Sequence, residues 1–148
     1  MIRHVYNDGG RAAAGRRGDA RDCAARAISI ATGIGYNPAY ALINEIAKTE
    51  RGSRRRGGRS SARNGVRGAT MRRIMDALGW QWVSTMKIGE GCRVHLSADE
   101  LPAGRIIVSL SRHYAAVIEG ELHDTHDCSR DGTRCVYGYW RAPSDNAD

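Results

Sequence analysis

The sequence predicts a single α+β domain, with helices from its first half packed on an antiparallel sheet from its second half. Three observations carry this. Apolar residues recur at helical spacing as far as Leu78 and alternate at strand spacing from Trp80 onward. The 148 residues are 41% hydrophobic, enough for one core and too few for several. No internal repeat breaks the chain into units. The domain is expected over residues 1–142, with an arginine- and glycine-rich mobile loop at 51–67 and a disordered tail at 143–148.

Each element has a local cause. Ile2 to Tyr6 reads as a short strand, and the Gly- and Arg-rich segment to Arg21 as irregular. A helix fits Cys23 to Thr32, with Asp22 as its cap and Gly33 and Gly35 as its stop. Its inward positions Ala24, Ala27, Ile28 and Ala31 are mostly small, so another element can pack close. A second helix fits Pro38 to Lys48, capped by Asn37, with Ala39, Leu42, Ile43, Ile46 and Ala47 as its stripe. Residues 51–67 are nearly devoid of apolar side chains. A third helix fits Met71 to Leu78, capped by Thr70 and stopped by Gly79. Trp80 to Met86 then reads as a strand, and Ser97 to Leu101 as one helical turn ended by Pro102. Arg105–Leu110, Tyr114–Ile118, Glu121–His126 and Cys135–Trp140 complete the strands.

Composition narrows the class of protein. There is no apolar run near the roughly 18 residues of a membrane-spanning helix. Met1 to Gly10 lacks the apolar stretch of an export signal, so a cytoplasmic protein is expected. In that compartment the four cysteines, Cys23, Cys92, Cys128 and Cys135, are not expected to form a disulfide framework. The net charge of +7 favours loose attraction to polyanions, although much of the excess sits in one arginine-rich stretch.

The candidate chemistry starts at Cys23. A helix start offers free backbone N–H groups and the positive end of the helix dipole, both of which favour the reactive thiolate. The second partner comes from the strands. Glu119-Gly120 suits a two-residue hairpin loop, which places Ile118 opposite Glu121, Val117 opposite Leu122, Ala115 opposite Asp124 and His113 opposite His126. His113 and Asp124 then share one face as diagonal neighbours, about 7–8 Å apart at the backbone and within side-chain reach. Cys23 is thus read as nucleophile, His113 as its base and Asp124 as the group that orients the imidazole. Asp127, on the opposite face, is the second choice of orienter.

Asp22-Cys23-Ala24-Ala25-Arg26-Ala27 at a helix start resembles the nucleophile helix of papain-like cysteine peptidases, including bacteriocin-processing peptidases. His113-Tyr114-Ala115-Ala116-Val117, followed by Gly120 and Asp124, is similar to their His and Asp strands. Asn7-Asp8-Gly9-Gly10-Arg11 and Arg134-Cys135-Val136-Tyr137-Gly138-Tyr139-Trp140 resemble stretches of small bacteriophage proteins. The resemblance implies a papain-like fold, a cysteine-dependent hydrolase or acyl transferase acting on peptide or isopeptide bonds, a host protein or peptide as substrate, and no cofactor or metal. In one respect the chain departs from the family. Such peptidases place a Gln shortly before the Cys for the oxyanion hole, and here the residues are Gly18, Asp19, Ala20 and Arg21. The Cys23 N–H supplies one donor, Asp19 would serve only if protonated, and the second donor is unassigned.

Three other readings compete. His123, His126, Cys128 and Cys135 offer zinc-type ligands, yet the strand register sends His123 and His126 to opposite faces. Cys128 and Cys135 flank a turn and could instead lie close across a hairpin. The arginines from Arg51 to Arg73 could neutralise phosphates, and Arg54, Arg55 and Arg56 could grip an acidic or polyanionic partner, but no aromatics interleave for base stacking. Finally, a catalytically inactive papain-like protein could bind and inhibit a host protein.

Overall fold

The computed structural model of the chain describes residues 1–18, 20–50 and 59–143. It is an α+β fold of three helices and a six-stranded mixed sheet among those residues. Strand β1 (Arg3–Tyr6) is followed by helices α1 (Cys23–Thr32), α2 (Tyr36–Ala47) and α3 (Gly68–Ala77). Strands β2 (Gln81–Ser84), β3 (Arg105–Leu110), β4 (His113–Ile118), β5 (Glu121–Asp124) and β6 (Gly138–Arg141) complete it. Arg54, Arg55 and Arg56, and all of the expected tail except Pro143, lie outside the described residues.

The helices form where the apolar periodicity places them, but their caps differ. Helix α1 closes as expected on Gly33, whose φ of 81° is left-handed and whose N–H reaches the Ser29 carbonyl at 3.0 Å. Asp22 precedes α1 without capping it, because its carboxylate is taken by Arg11, Arg26 and Tyr36 instead. Helix α2 begins on Tyr36, with Gly35 as its cap rather than Asn37. The buried Tyr36 hydroxyl donates to Asp22 Oδ2 at 2.5 Å, and this anchor draws the helix start two residues earlier than Pro38. Helix α3 likewise begins before Thr70, whose hydroxyl donates to Glu50 and not to its own helix.

The sheet order is β1-β5-β4-β3-β6-β2. All neighbours are antiparallel except β1, which adds to β5 in parallel. The sheet is therefore mixed, not purely antiparallel. Alternation marks Ile2 to Tyr6 as a strand but holds no information on a partner more than a hundred residues away. The β4–β5 hairpin has the expected register, Ile118 to Glu121 and Val117 to Leu122.

Each face of the sheet has its own core. Ile107, Tyr114, Ala116 and Trp140 pack on the helices, where the small stripe Ala24, Ala27 and Ala31 lets α1 sit close. Ile106, Val108, Ala115, Val117 and Leu122 pack with Ile2, Leu96 and Val136 on the other side. Burying each of these Val, Leu and Ile side chains contributes about 1.5–3 kcal/mol. The second core is covered by two irregular segments held together by Leu96 N–H to the Arg134 carbonyl and Val136 N–H to the Val94 carbonyl, both at 2.8 Å. Here Cys92 and Cys135 form a disulfide, with Cα atoms 5.9 Å apart. This corrects the expectation that the cysteines form no disulfide framework, and it joins Cys135 to Cys92 and not to Cys128. The bridge between His95 and Cys135 aligns the two segments, and sequence spacing gives no sign of it.

Candidate active site

The site gathers where the start of β4, the end of β5 and the start of α1 meet. Antiparallel pairing puts His113, first in β4, and Asp124, last in β5, at the same end of the hairpin. Helix α1 is brought to that end by Gly9, whose missing side chain allows contact with the Arg26 backbone; a Cβ there would lie 3.0 Å from it. The first backbone bond of α1 runs from Arg26 N–H to the Asp22 carbonyl at 3.0 Å. The N–H groups of Cys23, Ala24 and Ala25 therefore have no partner within the helix.

The three candidate side chains come together. His113 Nε2 and Asp124 Oδ2 share a hydrogen bond of 2.6 Å, and both side chains are largely buried, at 11% and 4% exposure. The Cys23 and Cys128 thiols both lie against the imidazole. Burial opposes a charge on His113, but Asp124, then Cys128 and Cys23, outweigh it and raise its pKa to about 11. Burial likewise works against the Asp124 carboxylate, while His113 and then Arg26 lower its pKa below the usual range. The pair is thus an imidazolium and a carboxylate at neutral pH.

A charged chain supports this pair. Arg26 Nη1 donates to Asp124 Oδ1 at 2.8 Å and to Thr125 Oγ1 at 2.7 Å, while its Nε donates to Asp22 Oδ1 at 3.1 Å. Arg11 closes the far end on Asp22 Oδ2 at 3.0 Å. Arg26 thus ties the helix that carries Cys23 to the carboxylate that holds His113. Its spacing of four residues from Asp22 was the one visible sign of this link. Asp127, the second choice of orienter, accepts from Ser129 N–H and Oγ at 3.0 and 2.6 Å instead.

A cleft of about 580 Å³ opens on the site. Cys23, His113 and Tyr114 line it, whereas Cys128 and Asp124 lie behind the imidazole. Of the two thiols beside His113, only Cys23 faces the cleft. One wall is residues 59–68, the described end of the stretch expected to be a mobile loop and the start of α3. It is tied down. Ser61 pairs with Gly65, Ala62 is fully buried, and Ala62 N–H reaches Asn44 Oδ1 at 2.9 Å. Ser60 N–H reaches Glu50 Oε1 at 3.0 Å, and the Tyr114 hydroxyl donates to the Val66 carbonyl at 3.0 Å. Composition masked this, because the anchors come from α2, its C-terminal flank and β4. Asp19, considered as an oxyanion partner, lies outside the described residues.

The four residues considered for zinc do not converge. Cys135 is in the disulfide, His123 Nδ1 lies 3.3 Å from Asn7 Nδ2, and the His126 ring packs on His113 at 5.4 Å. Another set does converge: His113, Asp124 and Cys128 present ligand atoms within 4.8 Å of one another. A metal there would have to displace the proton between His113 and Asp124 and face the Arg26 guanidinium 2.8 Å from the carboxylate. The donor set suits a hydrogen-bonded pair better than a cation.

No family model, curated protein or solved structure matches the chain. Among the described residues, no helix is long and apolar enough to cross a membrane.

Proposed function

We propose that the protein is a papain-like cysteine hydrolase or acyl transferase that acts on peptide or isopeptide bonds. One observation carries the reading: a thiol at a helix start, facing a cleft, rests against an imidazole that a buried carboxylate holds at 2.6 Å. A nucleophile, a proton carrier and an orienter on three adjoining elements are what acyl transfer at sulfur requires.

His113 carries the proton that the reaction needs, and the Cys23 sulfur is the nucleophile. That sulfur bonds the carbonyl carbon, and the Cys23 N–H binds the developing oxyanion. His113 gives its proton to the departing amine as the carbon–nitrogen bond breaks. Water then attacks the thioester, His113 takes a proton from it, and the carbon–sulfur bond breaks to release the acid from Cys23 with the proton back on His113. An amine acceptor in place of water would make the same step a transfer. Asp124 keeps the ring aligned throughout.

The substrate in this reading is a protein or peptide, of the host if the chain is phage-encoded, and the compartment is the cytoplasm. The test is turnover of a peptide library or host lysate by wild type, Cys23→Ala and His113→Ala. Both variants should fold and lose all turnover. Full biological effect retained by Cys23→Ala would replace this reading with that of an inactive, host-binding protein.

A further inference from the structure

We infer that the cleft beside Cys23 selects acidic polypeptide segments, gripped by Arg21, Arg59 and Arg112; the inference rests on the hydrolase reading only for what happens after binding. Among the described residues, four arginines and no acidic side chain line this cleft. Arg67 is one of them, but its Nη1 is held by Glu50 at 3.1 Å and serves the wall. The side chains of the other three are exposed and make no hydrogen bond or ion pair with another described residue. Arg11, Arg26, Arg105 and Arg134, by contrast, reach carboxylates or carbonyls within the fold.

The three free cations come from separate segments and face one space. Arg21 stands two residues before Cys23, and its N–H is fixed to the Arg63 carbonyl at 2.7 Å. Arg59 begins the cleft wall. Arg112 directly precedes His113 in the Ser111–Arg112 turn between β3 and β4, with a left-handed φ of 57°. That conformation favours glycine or asparagine, so a glycine can replace Arg112 without disturbing the turn. Like charges around a low-dielectric cleft repel one another and raise the local concentration of anions.

Carboxylates fit this set better than nucleic acid does. A guanidinium pairs with a carboxylate in a planar, two-bonded geometry. Single-stranded nucleic acid needs aromatic faces for its bases. The cleft offers Tyr114, which is only 9% exposed and whose hydroxyl is bound to Val66.

The experiment measures binding without chemistry. Full-length Cys23→Ala is titrated, by fluorescence anisotropy, into dye-labelled peptides of one length that are Asp/Glu-rich or Asn/Gln-rich, and into an oligothymidine. The acidic peptide should bind about tenfold or more tighter than its neutral counterpart, with the preference shrinking as salt rises. Arg21→Gln, and Arg112→Gly, which suits the backbone of that turn, should each weaken acidic binding several-fold. Arg63→Gln, outside the lining, should not. Equal binding of acidic and neutral peptides, equal loss with Arg63→Gln, or tighter binding of the oligonucleotide would each overturn the inference. An acidic preference supports it even if wild type never cleaves the peptide, in which case the hydrolase reading alone fails.

Discussion

At the scale of single residues, the two thiols beside His113 have different prospects. Cys23 is partly exposed in the cleft and Cys128 is buried behind the ring. Brief iodoacetamide treatment near neutral pH, followed by peptide mapping, should place the label on Cys23, with Cys128 modified only after unfolding. Equal labelling of both would argue for a structural Cys23. Asp124 and Asp127 differ as sharply. Asp124→Asn removes the charge that faces both His113 and Arg26, and should lower turnover about 100-fold or more. Asp127→Asn touches only the Ser129 turn and should change it little. The ion pair also sets a pH dependence of stability. His113 is raised from 6.5, so its contribution is full below pH 6.5 and is lost as pH rises through its higher folded value. Asp124 is lowered from 3.8, so its contribution is full above pH 3.8 and is lost as pH falls below that. Thermal melts of wild type against a His113→Ala, Asp124→Ala double variant should differ most between pH 3.8 and pH 6.5, and the difference should shrink as pH rises above 6.5.

Among the elements, β6 carries the tightest requirement. Gly138 pairs with Ser84 and Ser109, and the Trp82 ring lies across the place where a Cβ would stand. The Val83 carbonyl would also lie 2.9 Å from that Cβ, so neither neighbour has room to give. Trp82 in turn packs on Trp140 at 4.5 Å, and Trp140 belongs to the helix-side core. Gly138→Ala should therefore cost about 1–3 kcal/mol, the usual effect of overpacking, and shift tryptophan fluorescence. A denaturant midpoint equal to wild type would show that β2 can move off β6 freely. Much at this scale was readable beforehand. Helix α1 and strand β3 occupy the residues their patterns indicate, and the two-residue Glu119-Gly120 turn sets the β4–β5 register. The capping residues were not readable, because Asp22, Tyr36 and Thr70 spend their polar groups on distant partners.

The whole molecule is closed by long-range ties that local patterns do not announce. Linking Cys92 to Cys135 closes a loop of 43 residues in sequence. In the chain-entropy account a loop of that size is worth about 4 kcal/mol. Reductant, or Cys135→Ser, should lower the melting temperature while leaving Cys23 alkylation unchanged, because the disulfide covers the sheet face away from the helices. No shift on reduction would mean that the segments hold without it. Sequence by itself determined the α+β class, the order of elements, and the placing of Cys23 at a helix start and of His113 and Asp124 on neighbouring strands. Those properties depend on the period of apolar residues and on turn chemistry, which act over a few residues. Tertiary structure decided the parallel docking of β1, the Cys92–Cys135 link, the Arg26 bridge, the place of Cys128 behind the imidazole, and the arginine-lined wall. Each of these joins residues far apart in the chain, and such pairings are selected by packing and charge in the folded state, where nothing in local spacing can specify them.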